Sequence, residues 1–292
     1  MKILILGSEG FVGHNLVKGL SKKHEIICAD IYENSSHKNY SKFDVTDSIS
    51  VENTVKDVDV VINLVAHSLV SSIDGPVKNA NVNIMGLLYI LEACRKNNIK
   101  KIIFTSASSM IGEPQTSTVA ENHLATPKTA YGITKLTSEH YLQLYKDMYD
   151  LDFVIFRFFN IYGPYQKNGL IPTLYSRIKN NQPLTVFGKG DQIRDYVFIE
   201  DIIEFFEKAS NSTIADNQIF NMGTGIGTSI LEIIEYFSKI LKISPKIEYQ
   251  SERPGEIGNF VANTDFLKNI FSNVPRTTPK EGLEKTISWL EL

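Results

Sequence analysis

The sequence predicts an α/β chain, a doubly wound parallel sheet followed by a smaller mixed α/β C-terminal part that binds substrate. Three observations carry that expectation. Short apolar, β-branched runs alternate with helical periodicity through the first 164 residues. Three glycines, Gly7, Gly10 and Gly13, separate the first apolar run from the first amphipathic one. After Pro164 the alternation gives way to mixed short elements.

The elements follow in order. Lys2 to Leu6 reads as a buried strand ended by glycine. From Phe11 the apolar residues fall at 11, 12, 16, 17 and 20, a helical spacing. His24 to Ala29 is a second strand ending at Asp30, and 58–66 (VDVVINLVA) a third. Residues 81–98 form a helix apolar around most of its circumference, and 100–109 (KKIIFTSASS) a fourth strand. A long helix over 130–149 leads to a fifth strand, 152–164, which runs into a turn. Beyond it, 171–209 mixes a helix, short strands and a Gly/Asp-rich turn, and 230–243 is an amphipathic helix. The division is expected after residue 164, with 165–292 holding the substrate and the chain free to cross back.

Bulk properties narrow the class. The 292 residues are 42% apolar and 22% charged, as in a soluble globular protein. A net charge of -3 and a pI near 6.1 give no nucleic-acid surface. No apolar run approaches the roughly 18 residues that cross a bilayer, and Gly7 interrupts an apolar start too short for a signal peptide. Cys28 and Cys94, both in apolar surroundings, read as reduced thiols of a cytoplasmic protein. The six histidines show no metal-ligand spacing, so no metal is expected.

Three glycines between a buried strand and a helix make a phosphate cradle. The first permits the tight turn, the second lets the backbone approach a pyrophosphate, and the third lets the helix pack close to the sheet. The helix N-terminus then offers open N–H groups and a partial positive charge. Asp30, at the end of the second strand, sits where an acid meets the adenosine ribose hydroxyls, and no arginine follows it, which favours NAD over NADP. Asp44 in FDVTD and the NLVA at 63–66 would line the adenine and pyrophosphate. This is a Rossmann-type arrangement.

The chemistry points to Tyr131 and Lys135, four apart and so on one helix face. Lowering a phenol by about three pKa units takes roughly 4 kcal/mol. An ammonium at about 4 Å, in an effective dielectric of 20, supplies energy on that order.

In these motifs the chain resembles the extended short-chain dehydrogenase/reductases, in particular the nucleotide-sugar epimerases and dehydratases. The stretches that carry the resemblance are GSEGFVG (7–13), NLVA (63–66), NVNIMGLLYILEA (81–93), YGITK (131–135), FRFFNIYGP (156–164), GKGDQIRDYVFIEDI (188–202) and RPGEIG (253–258). The resemblance implies bound NAD, held by Gly7, Gly10, Phe11, Val12, Gly13, Asp30, Ile31, Asp44, Val45, Leu64, Val65, Ala66, Asn83, Thr105, Tyr131, Lys135 and Phe158. It implies a nucleotide-sugar, a UDP-hexose, gripped by Asn160, Leu170, Phe187, Arg194, Arg253 and Glu256. It also implies a homodimer through the helices at 83–95 and 131–149, with Leu87, Leu88, Leu91, Tyr141, Tyr145 and Tyr149 at the contact. Phe260 matches a position where bulk crowds an N-acetyl group, a lean toward plain hexoses.

The chain departs from the family at one catalytic position. The usual Ser/Thr that bonds the reacting sugar hydroxyl is Ala107 here. Ser109 lies on the same strand face as that position, while Ser106 or Ser108 can serve only if the backbone bulges or the strand has already ended; Ser108 and Ser109 are taken as the catalytic candidates. The dehydratases carry an Asp and a Glu where this chain has Ser108 and Ser109, which argues against elimination of water. The leading expectation is C4 epimerisation of a UDP-hexose through a 4-keto sugar. A reductase or dehydrogenase using the same Tyr/Lys/NAD set, and a catalytically weak binder of NAD or nucleotide-sugar, are the alternatives.

Overall fold

A computed structural model describes residues 1–252 and 257–292, so the expected site residues Arg253 and Glu256 lie outside the described part. The strands described are β1 (Lys2–Leu6), β2 (Glu25–Asp30), β3 (Tyr40–Lys42), β4 (Val60–Asn63), β5 (Lys101–Ala107), β6 (Asp152–Phe158), β7 (Asn160–Tyr162), β8 (Leu184–Phe187), β9 (Ile193–Phe198), β10 (Gln218–Met222), β11 (Gly227–Ser229), β12 (Ile247–Gln250) and β13 (Asn259–Phe260).

Seven of them form one sheet in the order β10-β6-β5-β4-β1-β2-β3. From β3 through β6 neighbouring strands run parallel, in register pairs such as Leu6↔Ala29, Leu6↔Asn63 and Ala107↔Phe158. The strand order reverses direction at β1, the place where such sheets open a crevice at their C-terminal ends. β1 and β4 are buried along nearly their whole length, which is why they read as unbroken apolar runs. The core on one side of the sheet packs Leu4, Leu6, Val61, Ile102 and Phe104 against Leu87, Leu91, Leu142 and Tyr145.

The chain divides into two interleaved compact units. The first comprises residues 1–112, 122–158 and 203–220, and the second 113–121, 159–202 and 221–292. The physical reason for the return is β10, which extends the sheet beyond β6. In the second unit β9 pairs with β11 antiparallel and with β7 and β13 parallel, while β8 pairs with β12.

Several boundaries shift. The fourth strand stops at Ala107, and Ser108–Met110 make a single tight helical turn. The helix expected over 81–98 opens with one wide turn, Asn81–Met85, before its regular part, Gly86–Lys96. Helices Ser48–Thr54, Leu69–Asp74 and Pro76–Ala80 are too short to show a periodicity and were not expected.

Candidate active site

Strand ends build the cofactor cleft. Gly7 follows β1, Asp30 and Ile31 follow from β2, Phe43 to Thr46 lie beyond β3, and Leu64, Val65, Ala66 and His67 follow β4. With Glu9, Gly10, Tyr32, Lys78 and Val82 they line a cavity of about 460 Å³, within the range of small-molecule sites. Nine of the expected cofactor residues line it: Gly7, Gly10, Asp30, Ile31, Asp44, Val45, Leu64, Val65 and Ala66.

The residues fit a dinucleotide. Gly7 has φ +87°, and a Cβ on Gly13 would fall 2.2 Å from the Gly7 carbonyl oxygen, so loop and helix meet only because both lack side chains. The helix Phe11–Leu20 starts at Gly10 with no side-chain cap and no acid in its first turn, leaving its first N–H groups open for an anion. Phe11 and Val12 open that helix half-buried. Asp30 Oδ2 accepts from the Glu9 N–H at 2.9 Å and Oδ1 from the Ile31 N–H at 2.7 Å. Burial pushes its carboxyl up and these bonds hold it down. Asp44 Oδ1 accepts from both the N–H and Oγ1 of Thr46.

The Tyr/Lys helix, Ala130–Tyr149, is capped by Thr129, whose side chain accepts from the Gly132 N–H at 3.0 Å. Lys135 is 2% exposed. Its Nζ donates to the Thr105 carbonyl at 2.7 Å, lies 4.6 Å from the Phe104 ring centroid and 5.6 Å from that of Tyr131. Burial, opposed by Glu139, brings Lys135 down to about 7, and burial pushes the Tyr131 phenol up to about 12. In the chain without cofactor, burial thus opposes the acidified phenol that the spacing suggests.

One turn further along this helix, Glu139 forms a buried pair with Arg157 of β6, at 3.0 Å from Nε and 2.7 Å from Nη2. Ser106 Oγ donates to the same carboxylate at 2.5 Å, which removes Ser106 from the reaction. Sequence reasoning missed Glu139; its place at Lys135 plus four was the available signal.

The serines after Ala107 lie past the end of the strand, so the alternation of faces no longer governs them. Ser108 is 8% exposed. Ser109 Oγ is buried without a hydrogen-bond partner. A Cβ on Gly132 would come within 3.0 Å of the Ser109 carbonyl oxygen, so the serine turn presses on the helix beside Tyr131.

Other expected cofactor residues serve as brackets. Asn83, in the wide turn, accepts from the His67 N–H at 2.7 Å and donates to Thr134 Oγ1 at 3.0 Å, tying the β4 loop to the Tyr/Lys helix. Thr105 Oγ1 donates to the Asn63 carbonyl, and Phe158, at the end of β6, packs on Phe206. His67 was not foreseen. It lines the cleft, and its Nδ1 is buried with no partner.

In the second unit a cavity of about 590 Å³ is lined by Leu170 and Phe187, both expected, with Arg177, Thr185, Gln192 and Gln250 among others. Asn160 Nδ2 donates to the Asp195 carbonyl. Arg194 Nη1 donates to the carbonyls of Ile193, Ile257 and Gly258. Phe260 is buried against Phe159, ring centroids 5.3 Å apart. Asp195, fully buried and unremarked in the sequence, accepts from the N–H groups of Thr224, Gly225 and Ala262 and from Thr224 Oγ1.

A parallel sheet in the order 3-2-1-4-5-6, a glycine cradle at its crossover and a Tyr/Lys helix mark the class of dinucleotide-dependent enzymes. The chain belongs to the NAD dependent epimerase/dehydratase family, whose model matches residues 3–223. It is an NAD-dependent enzyme of the epimerase type. It is similar to the UDP-glucose 4-epimerase of Thermotoga maritima, solved with UDP-glucose, at 27% identity and TM-score 0.92 over 100% of this chain and 99% of that one. It is similar to the UDP-N-acetylglucosamine 4-epimerase of Methanobrevibacter ruminantium M1, solved with UDP-N-acetylmuramic acid, at 28% identity and TM-score 0.91 over 99% and 98%. A third similar structure is the UDP-glucuronic acid 4-epimerase of Bacillus cereus with UDP-glucuronic acid and NAD, at 27% identity and TM-score 0.91 over 100% and 99%. Among the described residues, no helix is long and apolar enough to cross a membrane.

Proposed function

We propose that this enzyme inverts C4 of a UDP-hexose. The observation that carries the reading is the Tyr131–Lys135 helix with the Ser109 backbone against its start and the Ser109 hydroxyl buried without a partner. NAD, held in the cleft lined by Gly7, Gly10 and Asp30, would supply a cationic ring that favours the phenolate and the capacity to accept and give back hydride. Tyr131 Oη removes the 4-hydroxyl proton and later restores it, Lys135 holds the charge of the phenolate, and Ser109 donates to the same sugar oxygen. Ser108 and Ser109 leave that turn without a carboxylate, which disfavours elimination. In the second unit, the cavity at Leu170 and Phe187 suits the nucleoside, with the buried, unpartnered Gln192 Oε1 as a polar acceptor near it. Arg253 would meet the phosphates and Glu256 the ribose, both outside the described residues.

The chain acts as a homodimer in this reading. Of the residues expected at the contact, Leu87, Leu91 and Tyr145 are committed to the chain's own core. The exposed apolar residues on and beside the same helices include Met85, Ile133, Leu144, Met148 and Tyr149, and these would meet the second copy. Two buried free thiols suit the cytoplasm.

The test is incubation of purified protein with UDP-glucose and UDP-galactose, then with their N-acetyl and uronic-acid counterparts. Interconversion of one pair without net change in NADH is expected. Turnover of none of them, or stoichiometric consumption of added cofactor, overturns the reading.

A further inference from the structure

Outside the reacting groups, the fold assembles a cluster that sequence spacing did not show. Glu9 stands in the glycine loop, His14 in the first turns of the helix Phe11–Leu20, and His37 in the segment after β2. His14 Nδ1 and His37 Nε2 lie 2.7 Å apart, and the same Nε2 is 3.5 Å from Glu9 Oε1. All three ligand atoms fall within 4.8 Å of one another, on part-buried side chains. We propose that Glu9, His14 and His37 bind a zinc-class divalent cation that clips the segment after β2 to the glycine loop.

The donor set names the metal class. Two imidazoles and one carboxylate suit Zn²⁺, and related borderline ions such as Ni²⁺ or Cu²⁺, over the oxygen-seeking Mg²⁺ and Ca²⁺. Ligands at about 2.0–2.2 Å around a tetrahedral zinc lie roughly 3.3–3.5 Å apart. The Glu9–His37 separation of 3.5 Å already matches, and the imidazole pair at 2.7 Å has to open by a small side-chain rotation. The three side chains leave a fourth position for water.

The surroundings orient the ligands as an outer shell does. Ser35 Oγ donates to Glu9 Oε1 at 2.6 Å and accepts from the His37 N–H at 2.9 Å, so one hydroxyl sets both. His14 is held by the helix. Charge favours a cation too. Asp30 Oδ2 accepts from the Glu9 N–H, so two carboxylate residues stand at this corner, and a bound divalent ion would offset their charge. Glu9 lines the cofactor cleft, but none of the three side chains takes part in the proposed proton and hydride transfers, so absence of zinc leaves that reading intact.

The experiment is calorimetric titration of zinc chloride into untagged protein with NAD added, followed by elemental analysis after dialysis. One zinc per chain is expected. His14→Ala and His37→Ala should each weaken binding by more than about tenfold, and Ser35→Ala by roughly tenfold. Circular dichroism of the metal-free variants checks that they fold. No uptake of zinc by the parent overturns the proposal, as does uptake unchanged in both histidine variants, or magnesium binding equally well.

Discussion

Lys135 donates its hydrogen bond to the carbonyl of Thr105 at 2.7 Å, with its nitrogen 5.6 Å from the centre of the Tyr131 ring. The amine is thus anchored to the sheet by β5, and what it contributes to the phenol is charge at a distance. That places weight on the groups that complete the site, and the serine turn is first among them.

Ser109→Ala should lower kcat by about 10²–10³, the cost of removing one donor from a charged transition state. Stability should hardly change, since Ser109 Oγ has no partner to lose. Steady-state kinetics of Ser109→Ala beside Ser108→Ala settles which hydroxyl acts. Unimpaired turnover in both would remove the serine clamp from the mechanism.

Lys135 also gives a pH signature. Burial lowers it to about 7, well below its ordinary value. Between pH 7 and that ordinary value the unfolded chain binds a proton that the folded chain does not, so stability climbs with pH, and below pH 7 the penalty is complete. The slope from this one group is at most about 1.4 kcal/mol per pH unit. Urea unfolding of cofactor-free protein from about pH 7 to about pH 9 should show a shallower rise in Lys135→Met than in the parent. Parallel curves for the two would contradict the low value.

Gly13→Ala inserts a Cβ 2.2 Å from the Gly7 carbonyl oxygen and 2.7 Å from the backbone of Ser8. Forcing the loop off the helix should cost about 1–3 kcal/mol of stability and most of the affinity for NAD. Fluorescence titration with NADH reads the second effect. Retention of parental affinity would show that the cradle is not built from this contact.

Much of this was legible beforehand, and the misses share physical causes. β1, β4 and the helix Ala130–Tyr149 declare themselves through long runs of one periodicity. The end of β5 at Ala107 did not, because KKIIFTSASS offers no glycine or proline where the backbone turns. The cleft lining was readable since each residue sits just past a strand. Asn83 was placed near the site, but its bracket between His67 and Thr134 depends on a wide helical turn that no spacing announces. His14 and His37, 23 residues apart, meet only through the β2 crossover.

Cys28 and Cys94 offer a test of burial. Their thiols are 1% and 0% exposed, and burial pushes them up to about 11 and about 12. A neutral-pH thiol reagent should label neither in the folded protein and both after denaturation. Fast labelling of the native protein would mean that this part of the core opens readily.

β10 comes late in the chain yet sits against β6, at the border of the seven-stranded sheet. During synthesis, β6 waits for it with unpaired backbone groups while residues 159–217 emerge. A fragment cut at residue 164 would be left with that border raw, prone to stick to other copies of itself. The nucleotide-binding half is therefore finished by the chain's return, and has no self-sufficient version upstream of it.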